Sequence, residues 1–317
     1  MTRELRRPRA LRPGGLLAVI SPASTPRPEL VHAGMRALEA QGYRTRLFPH
    51  ALDRGPLYYA GHVESRLADL HAAFADPEVD AVICTRGGWG SAELLPHLDA
   101  ELIRAARKPF LGYSDHTSLH AWMLNEAGLV TFQAPMVAAD WSRPDGFDLR
   151  SWRDALEGKA GWDVGPAEGL RVLRAGLSTQ RVEGVLTGGC VSIYAESLGT
   201  PFAPRPRGGV LFLEDIGHKP YQWDRSLVHL WQAGMFAGVT GVVFGDMAQS
   251  APPDEQAALE ASLLHAMRDF AGPLAIGLRS AHVSAGNVTL PFGVCVELDL
   301  HDEGNPRMHF REAAVEG

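Results

Sequence analysis

A chain of 317 residues has room for two domains or one large one, and at 45% hydrophobic residues it can fill sizeable cores. The 34 glycines and 22 prolines argue against a helical bundle, yet they fall short of a disordered composition. A formal net charge of −7 makes nucleic acid a poor partner, and no apolar run approaches the ~18 residues of a membrane-spanning helix. Cys84, Cys190 and Cys295 are too scattered for a zinc site or a disulfide framework, and they suit a reducing compartment.

The chain opens on a basic arm, with Arg3, Arg6, Arg7, Arg9 and Arg12 against Glu4 alone. The apolar run behind it, Leu16–Ile20, is shorter than the ~7–15 residues of a signal-peptide core. The arm therefore reads as a solvated tail leading into a first strand. Apolar runs at 16–21, 43–48, 79–85 and 109–113 then alternate with helical spacing at 28–41, 63–74 and 115–126. A short helix through Leu94 and Leu95 falls between the last two strands, and Gly128 closes the last helix. Such alternation predicts a mostly parallel sheet flanked by helices. From 134 to 169 the chain turns rich in Trp, Asp and Gly, with one helix predicted at 151–157. Beyond it, strands are predicted at 170–174, 182–186, 209–213, 240–244 and 294–298, with helices at 221–233 and 255–270. The expected architecture is α/β in two lobes: an N-terminal domain at 1–145, a connection at 146–169, and a mixed α/β domain at 170–317.

Four segments could carry chemistry. In Gly112-Tyr113-Ser114-Asp115-His116-Thr117 a buried strand ends and a helix begins at once. That turn suits a nucleophilic serine, because unpaired helix N–H groups await an oxyanion there; it equally suits a plain serine cap. Arg86-Gly87-Gly88-Trp89-Gly90 follows another buried strand and lets backbone approach a ligand closely. It lacks the third glycine of a dinucleotide fingerprint. Glu214 and Asp215 end an apolar strand, where they could serve a site, cap the next helix or pair with Arg225. His282 lies in a loop of small residues. Among the 13 histidines, His116 and His120 share a helix face, but Thr117 stands where a metalloprotease helix carries Glu. They read as a partly exposed pair rather than metal ligands.

Taken in order, these segments resemble the LD-carboxypeptidase family of serine peptidases, which includes the microcin-immunity peptidases. The resemblance also rests on Ser21-Pro22-Ala23, Gly188-Gly189, Gly199-Thr200-Pro201, Pro220-Tyr221, Asp224-Arg225 and Leu290-Pro291-Phe292-Gly293. It implies Ser114 as nucleophile, His282 as base, Glu214 as the acid orienting it, and an oxyanion hole from the backbone N–H groups of Gly88 and Asp115. It further implies a small muropeptide substrate, no metal or organic cofactor, and a homodimer. Arg86, with Gly87 and Trp89 beside it, is the candidate to hold substrate. The expected reaction releases terminal D-alanine from murein tetrapeptides in the cytoplasm. The alternative is amide cleavage in a peptidyl or aminoacyl nucleotide; the short chain disfavours it, while Trp141, Trp152 and Trp162 leave room for base stacking. The sequence departs from the family pattern at Ala281 (usually Gly), Cys190 (commonly Asn) and Gln133 (where His-Gly-Pro is frequent).

Overall fold

The computed structural model describes residues 3–205, 207–247 and 250–317. Its first half alternates β1 (Leu16–Ile20), α1 (Pro28–Ala40), β2 (Arg44–Leu47), α2 (Val63–Ala75), β3 (Ala81–Cys84), α3 (Ala100–Ala106), β4 (Phe110–Gly112), α4 (Thr117–Trp122) and β5 (Thr131–Gln133). After α5 (Leu149–Leu156) come β6 (Trp162–Val164), β7 (Arg171–Arg174), β8 (Arg181–Cys190), α6 (Val191–Glu196), β9 (Gly209–Glu214), α7 (Pro220–Gln232) and β10 (Val239–Gly245). The chain finishes with α8 (Gln256–Ala266), β11 (Leu274–Leu278), β12 (Leu290–Phe292), β13 (Cys295–Asp299) and β14 (Arg307–Phe310).

Two sheets result, with orders β12-β5-β4-β3-β1-β2 and β6-β14-β13-β8-β9-β10-β11-β7. In the first, β1 and β3 are buried throughout and pair in parallel, with Ile20 opposite Cys84. Burial on both faces is why these strands are apolar at every position. The chain turns to β2 on one side of β1 and to β3 on the other, so the crevice beyond their carboxyl ends is a topological switch point. In the second sheet β8, β9, β10 and β11 run parallel, while β13, β14 and β6 extend it antiparallel on one side and β7 on the other. Ser114, Glu214 and His282 all follow or end parallel strands, at the carboxyl ends of β4, β9 and β11.

Several expectations are corrected. The basic arm is no solvated tail: Arg6 N–H donates to Gly128 O, Arg9 N–H to Arg107 O and Ala10 N–H to Glu316 O, each at 2.8 Å, and Leu11 is buried. The boundaries at 146–169 and 170–317 are crossed by two strands. β6 lies within the expected connection yet joins the second sheet, and β12 returns to the first sheet, pairing antiparallel with β5. Trp141, Trp152 and Trp162 offer no stacking surface, since they are 1%, 0% and 2% exposed within the main core. Among the described residues no helix is long and apolar enough to cross a membrane.

Candidate active site

β4 delivers a buried Phe-Leu-Gly run, and after extended Tyr113 the backbone turns sharply into the left-handed region at Ser114, with φ +66°. A non-glycine residue is costly there and persists only where its surroundings fix it. A tight turn over residues 114–116 follows and leads directly into α4. The Gly-rich turn after β3 packs against this elbow. A side chain at Gly87 would start 2.9 Å from Ser114 Oγ and 3.4 Å from Asp115 N, so only glycine leaves the serine hydroxyl open. Gly88 adopts φ +111°, outside the range of other residues, with its backbone against Ser24. Asp115 binds the two turns together by accepting Ser91 N–H at 2.8 Å. Burial pushes its carboxyl up to about 6, against the pull of Ser91, Gly90 and Arg66.

His282 Nε2 lies 3.0 Å from Ser114 Oγ, and His282 Nδ1 lies 2.7 Å from Glu214 Oε2. Because a carboxylate can only accept, Nδ1 carries the proton and Nε2 is left to accept from the serine hydroxyl. Glu214 is 1% exposed at the end of a wholly buried strand, while the serine and histidine are half-buried and reachable. Burial pulls the His282 pKa down, but Glu214, by charge and by hydrogen bond, together with Asp215 and Asp140, outweighs it and raises the pKa above 6.5.

The histidine loop is braced. Ala281 also takes a left-handed conformation, φ +77°, and its N–H donates to Asn287 Oδ1 at 2.8 Å. This explains the glycine common at that position: the backbone asks for one, and a buried methyl is the largest economical substitute. Arg143 bonds the carbonyls of Val283 and Ser284 while pairing with Asp140 at 3.0 Å. Asp140, buried and pushed up to about 6, lies 3.4 Å from the Tyr113 hydroxyl. The Tyr113 ring in turn meets His282 edge-on at 5.1 Å.

The other candidates separate clearly. Asp215 turns away from the histidine and accepts Ser192 N–H at 2.9 Å and Cys190 Sγ–H at 3.3 Å, capping the start of α6. Cys190 N–H donates to Thr117 Oγ1 at 3.0 Å, joining the two halves behind the serine. Gln133 is fully buried, its amide 3.4 Å from Ser280 Oγ, so this departure supports the histidine loop from inside. His116 and His120 are not a partly exposed pair; both are 0% exposed and pack against Phe110. Burial holds them at about 3 and about 4, hence neutral. Among the described residues no group of three or more His, Cys, Asp or Glu could hold a metal ion. Trp89 lines an apolar cavity of about 260 Å³ with Thr117, Ser118, Ile193 and Phe202. Arg86 is exposed and does not pair with Asp115. Sequence reasoning missed Asn287, Arg143 and Asp140, whose roles come from tertiary contacts rather than any motif.

The sequence matches the LD-carboxypeptidase N-terminal domain over residues 17–134 and the LD-carboxypeptidase C-terminal domain over residues 183–298. A murein tetrapeptide carboxypeptidase of Pseudomonas aeruginosa is 36% identical over 226 residues, 69% of this chain and 71% of that one. The crystal structure of a muramoyltetrapeptide carboxypeptidase from Oxalobacter formigenes superposes with a TM-score of 0.81 at 27% identity, covering 94% of this chain and 99% of that one. The microcin C7 self immunity protein MccF shares the fold, with a TM-score of 0.85 at 22% identity over 98% of this chain and 100% of its own.

Proposed function

The chain belongs to the LD-carboxypeptidase family, and from that premise we propose that it is a serine carboxypeptidase releasing the terminal D-alanine of murein tetrapeptides. The observation that carries the reading is the hydrogen-bonded line from Ser114 Oγ through His282 to Glu214, at 3.0 and 2.7 Å. In the mechanism, His282 Nε2 takes the hydroxyl proton as Ser114 Oγ attacks the carbonyl on the L side of the L–D bond. Glu214 holds the imidazole in its tautomer and stabilises the imidazolium that forms. The backbone N–H groups of Gly88 and Asp115 receive the oxyanion, a role supported by the closeness of the Gly-rich turn to the serine. His282 then hands its proton to the leaving D-alanine amine. Water, activated by the same imidazole, releases the acyl group.

The same proposal places the enzyme in the cytoplasm as a homodimer, with no metal or organic cofactor and no nucleic-acid partner. Its three cysteines are free, which is consistent with a reducing compartment. Cleavage of a nucleotide conjugate is the second reading. Burial of Trp141, Trp152 and Trp162 removes these three rings as the stacking surface that would have favoured it. Mass spectrometry of products from a murein tetrapeptide and from an aminoacyl sulfamoyl adenosine, side by side, tests the choice. Loss of D-alanine from the first alone is the expected result; turnover of the conjugate alone overturns it.

A further inference from the structure

A groove of about 390 Å³ opens beside the Gly-rich turn, lined by Ser24, Thr25, Arg54, Tyr58 and Arg86, with Leu57 at its lip. No carboxylate lines it. Asp53, the neighbour of Arg54, is held by His50 Nδ1 at 2.7 Å. Among the described residues neither Arg54 nor Arg86 has an ion-pair partner. By contrast, Arg46 is paired with Asp76 and Glu78, and Arg66 with Glu93. Two unpaired guanidinium groups on one groove, in a chain of net charge −7, form a local cationic site.

The groove wall is fixed. Thr25 Oγ1 donates within 3.2 Å of Asp53 O and 2.7 Å of Tyr59 O, Thr25 N–H donates to Tyr58 O at 2.9 Å, and Ala60 N–H to Ala23 O at 3.0 Å. Leu57, 84% exposed, is held at φ +57°, a conformation a leucine keeps only when its surroundings impose it. Two of its lining residues, Ser24 and Arg86, adjoin the Gly-rich turn that packs against Ser114. Ser24 Oγ accepts Trp89 N–H at 3.1 Å beside Gly88, and Gly87, next to Arg86, abuts Ser114 Oγ.

The geometry points to Arg54 and Arg86 as a two-arginine clamp for the terminal carboxylate of the leaving residue, with the 53–59 loop as the wall that makes this enzyme an exopeptidase. The inference rests on the carboxypeptidase reading above. In a substrate of that kind, one carbon separates the terminal carboxylate from the scissile nitrogen, so its cation must stand beside the oxyanion donors. Arg86 does so. The planar fork of an arginine matches a carboxylate through two hydrogen bonds, and a second arginine on the same groove adds to the hold.

The test is steady-state kinetics of wild type, Arg54→Gln and Arg86→Gln on an L–D tetrapeptide and on its C-terminal amide. Wild type is expected to prefer the acid, and each variant to lower the acid-to-amide ratio in kcat/KM by about tenfold to a hundredfold, chiefly through KM. Arg54→Lys and Arg86→Lys, which keep the charge and lose the fork, should recover part of the ratio, with thermal midpoints unchanged throughout. Wild-type preference for the acid that survives both Gln variants overturns the clamp, as does equal wild-type cleavage of acid and amide. If wild type cleaves neither peptide, the carboxypeptidase reading itself has failed, and the clamp with it.

Discussion

His282 meets Glu214 twice: its ring Nδ1 lies 2.7 Å from Glu214 Oε2, and its backbone N–H reaches the same oxygen at 3.4 Å. One carboxylate oxygen thus sets both the tilt of the imidazole and the position of the loop carrying it. Asp215, one residue on, makes neither contact and caps α6 instead. Glu214→Gln should therefore lower kcat by orders of magnitude with modest loss of stability. Asp215→Asn should cost about 1 kcal/mol through the cap and leave most of the activity. Kinetics and denaturant midpoints on both variants check this; the reverse ranking would put the acid on Asp215.

Ser114→Ala should reduce turnover by at least a thousandfold while the protein stays folded. The residue keeps its left-handed backbone, and what is lost is one hydroxyl and its hydrogen bond to His282 Nε2, worth about 1 kcal/mol. Residual turnover above a tenth of wild type would remove Ser114 from the nucleophile role.

His282 must be neutral to accept the serine proton, and its pKa is raised above 6.5 because Glu214, Asp215 and Asp140 outweigh the opposing effect of burial. The acid limb of kcat/KM should therefore lie above 6.5, and Glu214→Gln should move it down. Stability runs the other way. With the folded pKa above the unfolded one, the imidazolium–Glu214 pair contributes fully below the unfolded value, and that contribution is lost as pH rises through the folded value. A pH series of kcat/KM and of denaturant midpoints should show activity rising where this stability falls. An acid limb at or below 6.5 contradicts the assignment.

Ala281 offers a local balance. Its left-handed backbone costs about 1–2 kcal/mol relative to glycine, while its fully buried methyl returns about 0.8 kcal/mol. Ala281→Gly should lie within about 1 kcal/mol of wild type and remain active. Ala281→Val, adding β-branching where φ is +77° in a closed space, should lose more than about 2 kcal/mol. Chemical denaturation of both variants decides it; a tolerated valine would show that the loop can rearrange.

A chelator should leave turnover unchanged. His116 and His120 face Phe110, and the His120 Nε2 contact is Gly112 O at 2.8 Å rather than any open position. Activity lost to ethylenediaminetetraacetate and restored by zinc would overturn the mechanism as drawn.

The long parallel strands were legible because strands buried on both faces are apolar at every position, as in β1, β3 and β9. β5 and β12 escaped because three residues hold no period, and β11 because Gly277 and the preceding Gly272-Pro273 mark a loop more strongly than Leu274–Leu278 marks a strand. The pinned basic arm was invisible for another reason: backbone hydrogen bonds, the buried Leu11 and long-range ion pairs such as Arg7–Glu312 hold it, and none of these has a local sequence period. Ser114, Glu214 and His282, which the structure brings within hydrogen-bond distance of one another, were singled out by combining a sharp strand-to-helix turn, a strand-end acid and a loop histidine with the family resemblance. Arg54 carried no signal, since only the folded 53–59 loop brings it alongside Arg86.

The return of β12 to the first sheet fixes how the molecule can move. His282 hangs between β11, a member of the second sheet, and β12, anchored on β5 in the first. A clamshell opening of the two halves would have to peel β12 from its neighbour or drag the imidazole off Ser114. No closing motion is needed to bring Glu214, His282 and Ser114 together, since they already lie within hydrogen-bond distance. The same tether makes the site a sensor of damage. Loosening either sheet is expected to disturb His282, so activity followed along a denaturant series should fade before the fluorescence change that marks global unfolding; coincident transitions would refute this.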